Sequence, residues 1–203
     1  HVLVLAEEAR VDGHLLHGEA AGDGDLHQPR ARLSLDLDAR KLLNLAAATR
    51  DFLLKRETVR SLPSIVKIDI SPLCNLRCTV CVHASYDGDL ALAAQAFDPQ
   101  HKMSLEHFSR LIDQLEGRTT AVSLYYLGDP LVHPDLDAMC RVAADAGLQV
   151  HISTNLSFGL RDERIRSLVE SGLSHLTVCV DGLSQEKYQR TRVGGNIARV
   201  LDN

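Results

Sequence analysis

Three of the five cysteines stand within eight residues, in CNLRCTVC, so that Cys74, Cys78 and Cys81 are spaced C-x3-C-x2-C. Thiolates at such spacing suit zinc and iron–sulfur clusters alike. A structural zinc is closed by four protein ligands, and neither remaining cysteine is an obvious fourth. Cys140 falls on the apolar helical pattern LDAMCRVAADAG, where a small core residue belongs, and Cys179 lies in a separate strand-like run. Three thiolates on a cubane iron–sulfur cluster leave one iron open to a small molecule. A zinc site, a redox pair or a catalytically silent iron–sulfur protein are the plainer alternatives. Pro72, just upstream, puts the cysteines on an irregular loop rather than a helix.

The bulk of the chain is compatible with one substantial core: 203 residues, 45% hydrophobic and 24% charged. A net charge of -5 supplies no broad basic surface, so nucleic acid is not an expected partner. No run approaches the roughly 18 apolar residues of a membrane span, and no signal pattern opens the chain. These features predict a cytoplasmic protein with no membrane association. An odd number of cysteines, three of them clustered, reads as a metal site before a disulfide framework.

Residues 1–36 carry four of the ten histidines and the loop-like AAGDGD, with no sustained period after the opening HVLVLA. They read as a poorly ordered or non-native segment. His14, His17 and His27 have no cysteine or carboxylate pattern beside them that would make a metal site. Residues 37–61 read as an amphipathic helix, with Leu42, Leu43, Leu45, Ala46, Phe52, Leu53 and Leu54 as its apolar set, packing on the domain that follows.

From residue 62 to 203 the apolar period alternates between 2 and 3.6. Strands are expected at 64–70, 121–127, 148–154 and 175–181, with helices at 104–116, 134–146 and 161–171, each helix followed by glycine. Such alternation with short loops predicts an α/β fold with a parallel sheet: a partial (β/α)6 barrel, of which about four β/α units are present. Side-chain alternation puts Val66, Ile68, Val150, Ile152, Leu176 and Val178 toward the helices. Lys67, Asp69, His151, Ser153, Thr177, Cys179 and Asp181 then face an unusually polar lumen. Ser123 and Tyr125 join the candidates for its substrate end. Each unusual short sequence falls at the carboxyl end of a strand: the cysteines, Gly128-Asp129-Pro130, Thr154-Asn155 and Asp181-Gly182. Barrels of this type build active sites there.

Together, CNLRCTVC, GDPLVHPDL, STN and VDGLSQEKYQRTRVGGN resemble the radical S-adenosylmethionine (SAM) superfamily over residues 62–203. The last stretch is similar to the branch with SPASM or twitch C-terminal extensions. A glycyl-radical-enzyme activase would share the cluster but lack that stretch. The resemblance implies a core domain continuing beyond Asn203. It also implies a [4Fe-4S] cluster on Cys74, Cys78 and Cys81 whose fourth iron is chelated by S-adenosylmethionine. Reductive cleavage of that cofactor would yield a 5'-deoxyadenosyl radical that abstracts hydrogen from a peptide, protein or small-molecule substrate. The electron would come from a donor such as flavodoxin or ferredoxin.

The same resemblance assigns candidate cofactor contacts. Gly128, Asp129 and Pro130 match a turn that holds the methionine amino group, although Leu127 replaces a glycine and Asp129 a glutamate of the family pattern. Asn155, with Ser153 on its face, matches a contact to the ribose or the methionine carboxylate. Cys179 stands where serine is common, two residues before Asp181. Val80 occupies an adenine-side position often held by an aromatic residue. Arg192 matches an arginine that pairs with the methionine carboxylate, with Arg190 close by in sequence.

Overall fold

The computed structural model describes residues 3–6, 37–81 and 101–203. Four strands follow one another with helices between them: β2 (Ile65–Lys67), β3 (Ala121–Ser123), β4 (Gln149–Thr154) and β5 (His175–Val178). All pair in parallel and in chain order. A fifth strand, β1 (Leu3–Ala6), lies parallel to β5 at the opposite edge from β2. It comes from the opening HVLVLA, within the segment expected to be poorly ordered; the histidine-bearing stretch 7–36 lies outside the described residues.

Helices α2 (Leu105–Leu115), α3 (Leu136–Asp145) and α4 (Asp162–Val169) connect these strands, and α5 (Gln185–Thr191) and α6 (Ile197–Asp202) follow β5. Ser104 caps α2 by accepting from the His107 amide at 3.2 Å. Gly147 and Gly172, at φ +72° and +83°, take the left-handed conformation that ends α3 and the turn after α4. One face of the sheet is dry. Val122, Leu124, Val150 and Ile152 pack there against Phe108 and Ile112 of α2, Leu136, Met139 and Cys140 of α3, and Leu168 of α4. Each such side chain contributes about 1.5–3 kcal/mol on full burial. Cys140 is thus the core residue its helical pattern predicted. A second small core joins Val178, Tyr188, Ile197 and Val200, fixing α5 and α6 to the end of β5.

The strands are shorter than their apolar runs. Beyond Lys67 and Ser123 the chain leaves the ladder for contacts between the loops themselves, such as the Asp129 amide donating to the Leu73 carbonyl at 2.8 Å. Because all strands are parallel, the loops after β2, β3, β4 and β5 share one edge. The cysteines and the three shorter motifs therefore meet there.

The N-terminal helix, α1 (Ala39–Leu53), ends eight residues before the expected limit at 61. It docks on the opposite edge, and its docking side is polar. Lys41 donates to the Gly147 carbonyl at 2.6 Å. Asn44 donates to the carbonyls of Leu62 and Arg118 and accepts from the Leu62 amide. Asp51 is buried beside Arg50 and Arg56. Its large apolar side chains turn outward instead: Leu43, Phe52 and Leu53 are 71%, 80% and 70% exposed. A shallow groove of about 590 Å³ runs along Leu42, Leu45, Ala46, Thr49 and Leu53. The helix packs on the domain as expected, but not through its apolar stripe. Among the described residues, no helix is long and apolar enough to cross a membrane.

Candidate functional site

The loop carrying the cysteines leaves β2 and is tied at its far side to the segment after α5. The amides of Arg77 and Thr79 donate to the carbonyls of Val193 and Thr191, each at 3.0 Å. Leu76 anchors the loop as a buried side chain, and the Cys81 amide closes a turn onto the Cys78 carbonyl. Cys78 is buried and Cys74 and Cys81 are half-buried, all three as free thiols. Burial pushes the Cys74 thiol up to about 11, and it raises Cys78 too, against the charge and hydrogen bond of Arg192.

Two side chains from elsewhere in the fold bring nitrogens up to these sulfurs, although both Asn155 Nδ2 hydrogens are taken by Asp129 and Asn75. Asn155 Nδ2 stands 3.8 Å from Cys74 Sγ, and Arg192 Nη1 stands 3.7 Å from Cys78 Sγ. The donor to Cys74 Sγ is the Leu76 amide at 3.5 Å, as Arg192 is to Cys78. Donors of this kind stabilise charge on ligating thiolates. Among the described residues, no three His, Cys, Asp or Glu side chains gather around a position for a single ion. A cubane asks for a different arrangement, since each thiolate takes its own iron. Three free thiols on one loop, with donors aimed at two of them, fit such a cluster.

The turn after β3 meets this loop at very short range. A Cβ on Gly128 would lie 2.1 Å from the Ser71 carbonyl oxygen and 2.3 Å from that of Leu73, so only glycine fits. Gly128 makes this close approach to the backbone that leads into Cys74. Pro130 opens a buried 3-10 turn over Pro130–Val132, capped by Asp129.

Asp129 is buried and accepts from the Leu131 amide at 3.0 Å, Thr154 Oγ1 at 2.9 Å, the Asn155 amide at 2.8 Å and Asn155 Nδ2 at 2.6 Å. Burial raises its pKa, while those donors and the Arg192 charge pull the other way. It thereby welds the turn after β3 to the end of β4. Asn155 is spent on the same purpose. Its side-chain Nδ2 also donates to Asn75 Oδ1 at 2.9 Å, and its side-chain Oδ1 accepts from the Ser157 backbone amide at 2.8 Å. Both residues therefore face the frame of the site.

Arg192 and Asp181 form a forked pair, with Nε to Oδ2 at 2.7 Å and Nη2 to Oδ1 at 3.3 Å. Thr191 Oγ1 donates to the same carboxylate at 3.0 Å. Burial would raise Asp181, but these bonds hold it below the usual carboxylate value. Burial would likewise lower Arg192, yet Asp181 holds it above the ordinary value. Arg190, its neighbour in sequence, points to an exposed pair with Glu186 instead. Ser153 and Cys179 touch across β4 and β5, Oγ to Sγ at 3.5 Å, on the polar face. Val80 stands 92% exposed, clear of the other candidates.

Three residues matter here that the motifs did not single out for a role. Thr154 is the hydroxyl donor to Asp129. Tyr188 is fully buried, its hydroxyl 3.5 Å from the Asn155 carbonyl, with its ring so close to Gly195 that a Cβ there would lie 2.6 Å from Cε1. His133 is buried too. Its Nδ1 accepts from the Asp135 amide at 3.1 Å, so Nε2 donates to the Met103 carbonyl at 2.9 Å, joining the approaches to α2 and α3. The doubled glycine after YQRTRV was a signal for the Tyr188 contact; nothing local signals the His133 bridge.

The sequence matches the family model described as the Radical SAM superfamily over residues 68–203. A GTP 3',8-cyclase of Chlorobaculum tepidum is 32% identical over 125 residues, covering 61% of this chain and 34% of that protein. An AdoMet-dependent heme synthase of Methanosarcina barkeri is 26% identical over 130 residues, covering 64% of this chain and 34% of its own length. The chain thus spans about a third of the curated relatives it matches. Among solved structures, Streptococcus suis SuiB bound to precursor peptide SuiA superposes with a TM-score of 0.58 at 18% identity, over 82% of this chain and 35% of that one. That likeness is one of fold. With the three-cysteine loop on its expected edge and two-thirds of the sequence inside the family model, the chain belongs to the radical SAM superfamily.

Proposed function

We propose that the protein is a radical SAM enzyme, with Cys74, Cys78 and Cys81 holding a [4Fe-4S] cluster and the edge around them holding S-adenosylmethionine. When bound, the pair supplies a 5'-deoxyadenosyl radical that takes hydrogen from a substrate. The observation that carries the reading is the convergence of four loops on three free thiols, two of them facing N–H donors, the Leu76 amide at Cys74 and the Arg192 guanidinium at Cys78.

The chain's own residues divide the work. Asp129, Thr154 and Asn155 lock the loops so that the Gly128–Pro130 backbone is presented in a fixed position to the methionine end of the cofactor. Asp181 holds Arg192 at the cysteine edge, where a guanidinium suits a carboxylate. Ser153 and Cys179 offer small polar groups on the lumen face, and exposed Val80 offers an apolar surface for the adenine. The remaining strands of the barrel and a SPASM or twitch extension belong to our reading of the whole protein, on the strength of the stretch after β5. So do a cytoplasmic location and a one-electron donor such as flavodoxin or ferredoxin. A substrate class spanning small molecules and peptides agrees with the names of the relatives: a GTP cyclase, a heme synthase and a SuiB bound to a precursor peptide.

The test is anaerobic reconstitution with iron and sulfide, reduction, and measurement of 5'-deoxyadenosine released from S-adenosylmethionine. The protein is expected to release it, and alanine at Cys74, Cys78 or Cys81 to abolish release, while Cys140→Ala retains cluster binding. A cysteine-loop variant that released it at the unaltered rate would refute the assignment.

A further inference from the structure

The polar face of the sheet carries a group of side chains that the cysteine edge does not use. Lys67, Ser123, His151 and His175 fall in one register row across β2, β3, β4 and β5. Alternation sets them on the face away from the dry core of Val122 and Val150. Their side chains meet in sequence across the strands. The His151 and His175 rings are edge to face at 4.5 Å between centroids, and Tyr125 meets His151 edge to face at 5.1 Å. Lys67 Nζ lies 4.9 Å from the centre of the Tyr125 ring and 5.7 Å from that of Tyr126. Thr177 Oγ1, one row nearer the cysteine edge, is 3.0 Å from His151 Nε2.

A row of this composition is an unusual way to line a barrel. Lumens of closed barrels are filled by branched apolar side chains, whereas here one ammonium, two imidazoles and a hydroxyl are brought together, with Ser123 buried and Lys67, His151 and His175 open to solvent in part or in full. The imidazoles are neutral donors or cations, and the Lys67 ammonium is a fixed point charge steadied by the Tyr125 ring. Burial pushes the His151 pKa down, and the charges of His175 and Lys67 push it further the same way. The groups thus work against one another until negative charge enters among them. Asp69, the next residue of β2's chain on this face, has interactions of its own.

We propose that Lys67, His151 and His175, with Thr177 and Tyr125 beside them, form a subsite for an anionic group of the substrate, a carboxylate or a phosphate. The assignment rests on the enzyme reading above, because it names the substrate class of the same lumen. Lys67 supplies the charge, the imidazole N–H groups and the Thr177 hydroxyl supply directed hydrogen bonds, and the row lies along the sheet from the edge where the cofactor would sit. A substrate held here by its anion would present its remaining atoms toward that edge.

The test is a titration of the reconstituted protein, before any S-adenosylmethionine is added, with inorganic phosphate and separately with acetate at constant pH and ionic strength. The imidazole carbon-bound proton signals of His151 and His175 are followed by NMR. Saturable shifts of both signals are expected, with apparent affinity weakened at least tenfold by Lys67→Gln, a change at an exposed side chain that should leave the fold intact. Saturation by phosphate alone assigns a phosphorylated substrate, by acetate alone a carboxylate, and by both an anion site without that selectivity. No saturable shift with either anion, or an unaltered titration in Lys67→Gln, overturns the proposal. Cofactor cleavage plays no part in this readout, so failure of the subsite and failure of the enzyme reading give different results.

Discussion

Asp129 is the side chain on which the geometry of the site most depends. A carboxylate with acceptor capacity on both oxygens receives donors from its own turn and from the end of β4. An amide in its place would set N–H against N–H on whichever side it turned. Asp129→Asn should therefore cost about 2–4 kcal/mol, the penalty of leaving buried donors unmatched, and should lower the cluster content after reconstitution. Urea denaturation measures the first effect, and a loss below about 0.5 kcal/mol would show that the carboxylate is not the joint described here. The motif in the sequence identified Asp129 as an acceptor in place of glutamate. Its partners were not legible, because Thr154 and Asn155 lie 25 and 26 residues away on another strand. For the same reason the sequence does not show that the side-chain amide of Asn155, a candidate cofactor contact, bonds to Asp129 and Asn75. A local motif specifies residue types; which of them face the ligand and which face each other is decided by register between strands.

Among the elements, α1 departs furthest from what amphipathic pattern alone would give. Periodicity locates the apolar stripe of a helix, but it carries no information on which side meets the rest of the chain. Here the docking side carries Lys41 and Asn44, whose partners are backbone carbonyls and an amide left open at the amino edge of the sheet, while buried Asp51 pairs with Arg50 and Arg56. Asn44→Ala should cost about 1–3 kcal/mol by removing the partner of part-buried backbone groups of Leu62 and Arg118. Phe52→Ala, at a side chain 80% exposed, should change stability by no more than about 0.5 kcal/mol. The two variants compared by urea denaturation decide between polar and apolar docking; the reverse order of effects would mean that the leucine stripe is the buried one. The strands show a milder version of the same limit. Apolar alternation runs on to Ile70 and Leu127, but the ladder ends at Lys67 and Ser123 because loop–loop contacts at Gly128 and Asp129 take over.

At the scale of the whole molecule, strand–helix alternation was enough to give the parallel sheet, its order from β2 to β5, and the edge on which the motifs gather. Parallel pairing makes that inference strong, since every loop that follows a strand must emerge at the same side. The added strand β1 was not foreseen, because four residues with no neighbouring pattern carry little periodic information. The reading of the site as a place for an open-cornered cluster joins the cysteine loop to three other loops and to Arg192. The most direct measurement of it is the electron paramagnetic resonance spectrum of the anaerobically reconstituted, reduced protein, with and without S-adenosylmethionine. The account predicts a [4Fe-4S]+ signal whose g-values shift when the cofactor is added, and whose intensity is lost in Cys74→Ala, Cys78→Ala and Cys81→Ala. A signal that stays the same on adding the cofactor, or a colourless protein that holds zinc instead, would contradict it.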